Sequence, residues 1–233
     1  MRIVLVSTYE MGRQPFGLAS PAAWLRGDGH DVTLADVSCS PMPRPAVEAA
    51  DLIAFFLPMH TATKLVVRLI GRVRTVNPRA HIAAYGLYAP LNERLLRGAG
   101  VSTILGGEFE PALRDLARNL SAKFPIIALD RQLFLVPDRR GLPPLGAYAQ
   151  LVVPDGTRRV GYTEASRGCK HLCRHCPVVP VYRGLFRIVQ PEVVLEDIRR
   201  QVAAGAEHIT FGEPDCFNGP GHAVPIVEAL HRE

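Results

Sequence analysis

Three cysteines fall within eight residues, Cys169-Lys170-His171-Leu172-Cys173-Arg174-His175-Cys176, at spacings of four and three. Such short spacings let one loop turn three sulfurs toward neighbouring corners of a single compact inorganic body. A four-iron cluster ordinarily takes four cysteines. Three leave one iron without a protein ligand, and an open coordination position is where chemistry becomes available. Zinc competes for the same donors, since His171 or His175 would complete a set of three thiolates and one imidazole. Structural zinc sites usually pair two short knuckles, however, and no second knuckle follows. Five cysteines, an odd number with three crowded together, argue against a disulfide framework. Cys39, in Ser38-Cys39-Ser40-Pro41, is read as a surface thiol and Cys216 as a small buried residue.

The elements around the cysteines must present them at one place. Tyr162-Thr163-Glu164-Ala165-Ser166 reads as a short strand, Arg167-Gly168 turns out of it, and Pro177 discourages a helix straight after Cys176. Tyr182 to Val189 is a basic, irregular stretch placed to cover the loop. Pro191 opens a helix whose apolar face is Val194, Leu195, Ile198 and Val202, ending near Gly205. His208-Ile209-Thr210-Phe211 is the next strand, with Gly212-Glu213-Pro214-Asp215 at its C-terminal end, and His222 to His231 begins another helix. Strand, cysteine loop, helix, strand and acidic turn make the start of a βα barrel, in which chemistry gathers at the C-terminal strand ends. Asp215 and Asn218 are read as turn residues.

The Cys-x3-Cys-x2-Cys spacing, preceded by Ser166-Arg167-Gly168, resembles the signature of the radical S-adenosylmethionine (radical SAM) enzymes. The resemblance implies a [4Fe-4S] cluster on Cys169, Cys173 and Cys176, with the fourth iron chelated by SAM. It implies an enzyme that cleaves SAM reductively to a 5′-deoxyadenosyl radical, which takes hydrogen from a substrate, small molecule or peptide, that the sequence does not name. It also implies a one-electron reductant such as flavodoxin or ferredoxin. His175 holds the place before the last cysteine where the family usually has an aromatic residue against adenine. Gly212-Glu213-Pro214 resembles the motif that binds the amino group of SAM. The competing reading is a binding module, with an iron-sulfur or zinc site used for structure, electron transfer or partner recognition.

Residues 1–122 alternate strands and helices in a βα rhythm. Strands are expected at Arg2 to Val6, Asp31 to Asp36, Asp51 to Leu57, His81 to Tyr85 and Val101 to Leu105. A helix is expected from about Ser20 to Gly27 or Gly29. Ala62, Leu65, Val66, Leu69, Ile70 and Val73 recur at three and four, the stripe of a helix on a sheet, which Asn77-Pro78 stops. Further helices fall near 91–98 and 109–120. Five such units predict an α/β fold with a doubly wound, parallel, five-stranded sheet, its ligand at the C-terminal strand ends. The order of units and Gly106-Gly107-Glu108-Phe109-Glu110-Pro111 resemble the cobalamin-binding-type domain that precedes many radical SAM domains. That family's Asp-x-His-x-x-Gly loop would fall on Ser7 to Gly12, where Ser7 and Tyr9 replace the aspartate and the histidine. Two readings stand: cobalamin with its lower face unligated, or a substrate or partner module without cobalamin, and the second is favoured. His60 and Tyr88 lie at expected strand ends, where local hydrogen bonding is the commoner use of a histidine.

Residues 123–158 form a connector in which periodicity fades, with a stiff Pro143-Pro144 pair and a hairpin signal at Asp155-Gly156. Residues 159–233 are the first part of the radical SAM domain. Two βα units where the family barrel usually has six lead to the expectation that the chain is the front of a longer enzyme and of low activity alone. Gln14-Pro15-Phe16-Gly17-Leu18-Ala19-Ser20-Pro21 further resembles the CUAEP/CCAEP-tail radical SAM proteins.

Composition narrows the remaining classes. Net charge is +5 with no basic run longer than two, and residues 169–233 hold 7 basic against 8 acidic side chains, so nucleic acid is not indicated. The longest unbroken apolar run, Leu52 to Met59, is too short to span a membrane. Reduced thiols and a first segment that reads as a strand lead to the expectation of a cytoplasmic protein.

Overall fold

The computed structural model describes residues 1–232. The first part is built from β1 (Arg2–Ser7), α1 (Phe16–Gly27), β2 (Asp31–Asp36), α2 (Arg44–Ala49), β3 (Leu52–Phe56), α3 (His60–Val76), β4 (His81–Tyr85), α4 (Tyr88–Leu91), α5 (Glu93–Gly98), β5 (Thr103–Gly107), α6 (Glu110–Arg118) and β6 (Ile127–Ala128). All six strands run parallel in the order β2-β1-β3-β4-β5-β6. The central strands read as unbroken apolar runs because helices cover both faces. Val4, Val6, Ile53 and Phe55 face one layer and Ile3, Leu5, Leu52 and Ala54 the other. Each fully buried leucine or isoleucine contributes roughly 1.5–3 kcal/mol.

The sheet has six strands where the sequence rhythm predicts five. The sixth is two residues contributed by the connector, too short to show any periodicity. Helix α1 also starts four residues before the expected Ser20, with Pro15 at its N-cap and Pro21 inside it. The early start places Gly17 against Phe56, where a Cβ would stand 2.2 Å from the ring.

The second part comprises β7 (Gln150–Val153), β8 (Gly156–Thr163), β9 (Ser166–Gly168), α7 (Val178–Tyr182), β10 (Phe186–Ile188), α8 (Pro191–Ala203), β11 (His208–Phe211), a 3-10 turn (Cys216–Asn218) and α9 (Pro220–Arg232). Strands β7 and β8 form the expected hairpin, and β11 lies parallel to β8 across α8, as successive barrel strands do. The cysteine loop departs from expectation at both ends. It leaves from β9, which pairs antiparallel with β10, so Phe186–Ile188 is a strand inside the stretch read as irregular. Helix α7 starts directly after Pro177, which serves as its N-cap. Proline blocks a helix interior, but at the start its missing N–H costs nothing.

Helix α8 buries Val194 and Ile198 as expected, whereas Val202 is exposed. Asp197 and Gln201 take the rest of the buried face. Asp197 accepts from Arg139 Nε (2.9 Å) and Nη2 (2.8 Å), Thr163 Oγ1 (2.8 Å) and Gln201 Nε2 (3.0 Å). Gln201 Oε1 in turn accepts from the Tyr162 N–H at 2.8 Å. A buried carboxylate is tolerable here because each of its oxygens has a donor. Arg139 belongs to the connector, and it also donates to Gln14 Oε1 at 2.9 Å. The connector thus ties the two parts together through its side chains. No helix is long and apolar enough to cross a membrane among the described residues.

Candidate functional site

An open cleft of about 200 Å³ lies where the two parts meet. Its first wall comes from the C-terminal strand ends of the parallel sheet, where the order reverses between β1 and β3. Glu10, Met11 and Arg13 follow β1, Pro58 and Met59 follow β3, and Phe109 follows β5. The opposite wall carries Tyr162, Glu164, Ser166 and Arg167, then Val178 and Tyr182 of α7. Gly212, Glu213 and Pro214 close it at the end of β11.

Glycine at 212 is demanded by packing, since a Cβ there would lie 2.0 Å from the Tyr162 hydroxyl. Glu213 Oε2 accepts from the Ala165 N–H at 3.4 Å, whereas its Oε1 is buried without a partner. Burial, with a smaller push from Glu164, raises the Glu213 carboxyl to about 7. Gly168, at a φ of +73°, lets β9 pass within contact of the Leu185 carbonyl before the first cysteine.

The three cysteines are free, Cys173 exposed and Cys169 and Cys176 half-buried against Val178, Val181 and Tyr182. The Cys176 N–H donates to the Cys173 carbonyl at 3.2 Å, which sets the turn between them. Asn218, read as a turn residue, does more than that. Its Oδ1 accepts from the Lys170 N–H at 2.7 Å and from Cys169 Sγ at 3.5 Å, and Asp215 holds its amide from the other side. Cys216 is half-buried in the same 3-10 turn, less enclosed than expected. Cys39 is exposed, as expected.

A single tetrahedral ion needs its ligands converged on one point, whereas a four-iron cluster takes each thiolate on a different iron. Among the described residues no three histidine, cysteine, aspartate or glutamate side chains are gathered as ligands of one ion. Three free thiols on one short loop beside the cleft fit the cluster. His175 is exposed and does not line the cleft. His60 is likewise exposed at the start of α3, Tyr88 lies in α4, and Tyr9 is exposed and does not line the cleft.

Beneath the cleft lies a charge cluster that spacing alone does not reveal. Arg167 donates to Glu110 twice, at 2.9 and 2.7 Å, and to Glu164 at 2.9 Å, with Glu108 3.8 Å away. Its guanidinium sits between Phe109 (4.8 Å) and Phe134 (5.0 Å). Ser20 Oγ and Gln132 Nε2 donate to Glu110 at 2.7 and 2.9 Å. Although burial opposes it, Arg167 and these donors hold the Glu110 carboxyl below its ordinary range. Glu108 goes the other way: burial raises it to about 7 against the pull of Arg167, while Tyr182 donates to it at 3.1 Å.

The sign of the resulting pH dependence follows from the raised carboxyls. Unfolded, Glu108 and Glu213 titrate near 4.5; folded, near 7. Between those values the native state holds the extra protons, so their contribution to stability falls as pH rises from 4.5 to 7. Above 7 the loss is complete. In Glu108→Gln, the change in thermal midpoint between pH 6 and pH 8 is therefore expected to shift toward higher stability at pH 8 relative to the parent. An identical change in both proteins would count against the raised carboxyl.

Comparisons with known proteins meet this geometry. No family model matches the chain. It is 28% identical over 144 residues to the tRNA-2-methylthio-N(6)-dimethylallyladenosine synthase of Bifidobacterium longum subsp. infantis, covering 60% of this chain and 27% of that protein. It is 32% identical over 74 residues to the ribosomal protein uS12 methylthiotransferase RimO of Syntrophotalea carbinolica, covering 31% of this chain and 16% of that one. Among solved structures it is similar to the radical S-adenosylmethionine methyltransferase TsrM from Kitasatospora setae. With tryptophan and a SAM analogue bound, that structure aligns at a TM-score of 0.73 and 16% identity over 100% of this chain and 51% of that one. With cobalamin and a [4Fe-4S] cluster bound, the values are 0.74 and 14% over 99% and 52%. The chain thus spans about half the length of the solved structures and about a quarter of the first relative. The α/β fold is similar to that of TsrM, and the resemblance to radical SAM enzymes drawn from the cysteine loop is borne out.

Proposed function

We propose that this chain is the cofactor-binding part of a radical SAM enzyme, with its substrate in the cleft between the two parts. Cys169, Cys173 and Cys176 would hold a [4Fe-4S] cluster, and Glu213 would take the amino group of SAM. When bound, the pair supplies one-electron cleavage of SAM and a carbon radical able to abstract hydrogen. The chain's own residues bind and orient: Asn218 steadies the start of the cysteine loop, and the walls of Phe56, Phe109, Tyr162 and Val178 keep water from the reacting centre. A flavodoxin- or ferredoxin-type donor would supply the electron.

The observation that carries this reading is Glu213. A carboxyl oxygen buried without a partner is costly unless a ligand's donor completes it. It stands at the end of β11, on the cleft wall that β9 leaves to begin the cysteine loop. No histidine lines the cleft among the described residues. A corrinoid there would therefore lie without an imidazole from this chain, and a cofactor-free first domain remains the favoured reading.

The test is anaerobic reconstitution with iron and sulfide, then 5′-deoxyadenosine formation from SAM with dithionite. Glu213→Gln is expected to retain iron but to weaken SAM binding about tenfold or more, the worth of a charge-assisted hydrogen bond. A reconstituted protein that forms no 5′-deoxyadenosine, alone or within any longer chain that contains it, would overturn the assignment.

A further inference from the structure

The cleft holds a second unsatisfied carboxyl that SAM chemistry does not use. Glu10 follows β1 on the first domain's wall, is 7% exposed, and has its Oε2 buried without a hydrogen-bond partner. Ser166 lines the same cleft, is 2% exposed, and its Oγ also lacks a partner. The nearby cation Arg13 stacks on the Tyr162 ring at 5.0 Å, and its charge offsets the burial of Glu10 only in part, leaving Oε2 without a partner. Arg167 is taken by Glu110 and Glu164. Around Glu10 the cleft is aromatic, through Phe56, Phe109 and Tyr162.

We propose that Glu10 and Ser166 receive the protonated amine of the substrate, whose aromatic or apolar body lies against Phe56 and Phe109. An uncompensated carboxylate is expensive at this depth: a ligand without a donor would leave Glu10 Oε2 unsatisfied, and a neutral donor would leave its charge unmatched. An ammonium group supplies both the charge and the donors. Burial first, then the charge of Glu164, pushes the Glu10 carboxyl well above its ordinary range, so an arriving cation relieves an existing penalty. Aromatic faces add attraction for the cation and contact area for the body. The inference rests on reading the cleft as the reaction chamber of the proposed enzyme.

The experiment uses the full chain without cluster and two probes, 4-fluorophenethylamine and 2-(4-fluorophenyl)ethanol, titrated by fluorine NMR. The amine is expected to bind about tenfold or more tightly than the alcohol, and Glu10→Gln to remove that advantage while leaving alcohol binding unchanged. Equal binding of both probes by the unsubstituted protein overturns the proposal without reference to any variant. Glu213→Gln is the internal comparison, because an equal or larger loss there would move the amine to Glu213. Iron content and 5′-deoxyadenosine are read separately. If amine binding fails while both of those stand, the inference alone falls; if they fail while the amine binds, the enzyme assignment falls.

Discussion

Replacing any one of Cys169, Cys173 and Cys176 by alanine is expected to take the reconstituted chain from about four irons to almost none, with loss of the broad visible absorption. In the proposed cluster each thiolate would hold a different iron, and two would not retain a cluster that already has one open corner. Cys39→Ala and Cys216→Ala are the counterparts. Cys39 is exposed, and its Sγ approaches Ser38 Oγ and the Ala147 carbonyl. Cys216 sits in the 3-10 turn with Asn218, near enough to the loop that its variant is the sharper control. Full iron in Cys216→Ala supports three ligands and an open iron. Its loss would instead favour four cysteine ligands and a cluster closed to SAM. Iron and sulfide analysis decides between them.

The second large effect belongs to Arg167. Removing its guanidinium leaves Glu108, Glu110 and Glu164 buried together without a counter-charge. Arg167→Ala is expected to cost roughly 3–5 kcal/mol, the usual consequence of stranding one side of a buried pair. In a chain of this size the thermal midpoint would drop by roughly 10 °C. Part of the cost comes from lost packing between Phe109 and Phe134. Adding Glu110→Gln should recover stability, so the double variant is less damaged than the sum of the single ones. A midpoint within about 2 °C of the parent would show that the cluster contributes little. Since Arg167 joins β9 to α6 across the two parts, limited proteolysis between residues 119 and 150 should also accelerate in the variant.

Much of the fold was legible because its signals are local. The runs in β1, β3 and β4 are apolar on both faces, as buried parallel strands must be, and Asn77-Pro78 ends α3 where the stripe ends. The hairpin at Asp155-Gly156 and the helix opened by Pro191 were equally plain. What escaped was short or dependent on distant partners. Strand β6 is two residues long, and β10 exists only because β9 lies beside it. Periodicity places Val202 on the buried face of α8, but Asp197 and Gln201 take that face by meeting Arg139, Thr163 and Tyr162. Pro177 argues in sequence against a helix straight after Cys176 yet caps the start of one, since proline's meaning depends on which end of a helix it occupies.

By itself the sequence determined which chemistry is available: three thiols on one loop, a Gly-Glu-Pro turn one βα unit later, and a parallel sheet before them. Those are matters of residue type and spacing, which a linear pattern carries in full. Tertiary structure alone decided what faces the cleft. Glu10 and Glu213 are 203 positions apart, and only folding puts both on one cavity with an unpaired oxygen each. The same holds for Arg167 and Glu110, 57 positions apart, which meet because β9 docks on the start of α6. The physical reason is that a carboxyl's charge and partners depend on what water is removed and which donors arrive. Burial of that kind is a property of packed surfaces, not of any one segment.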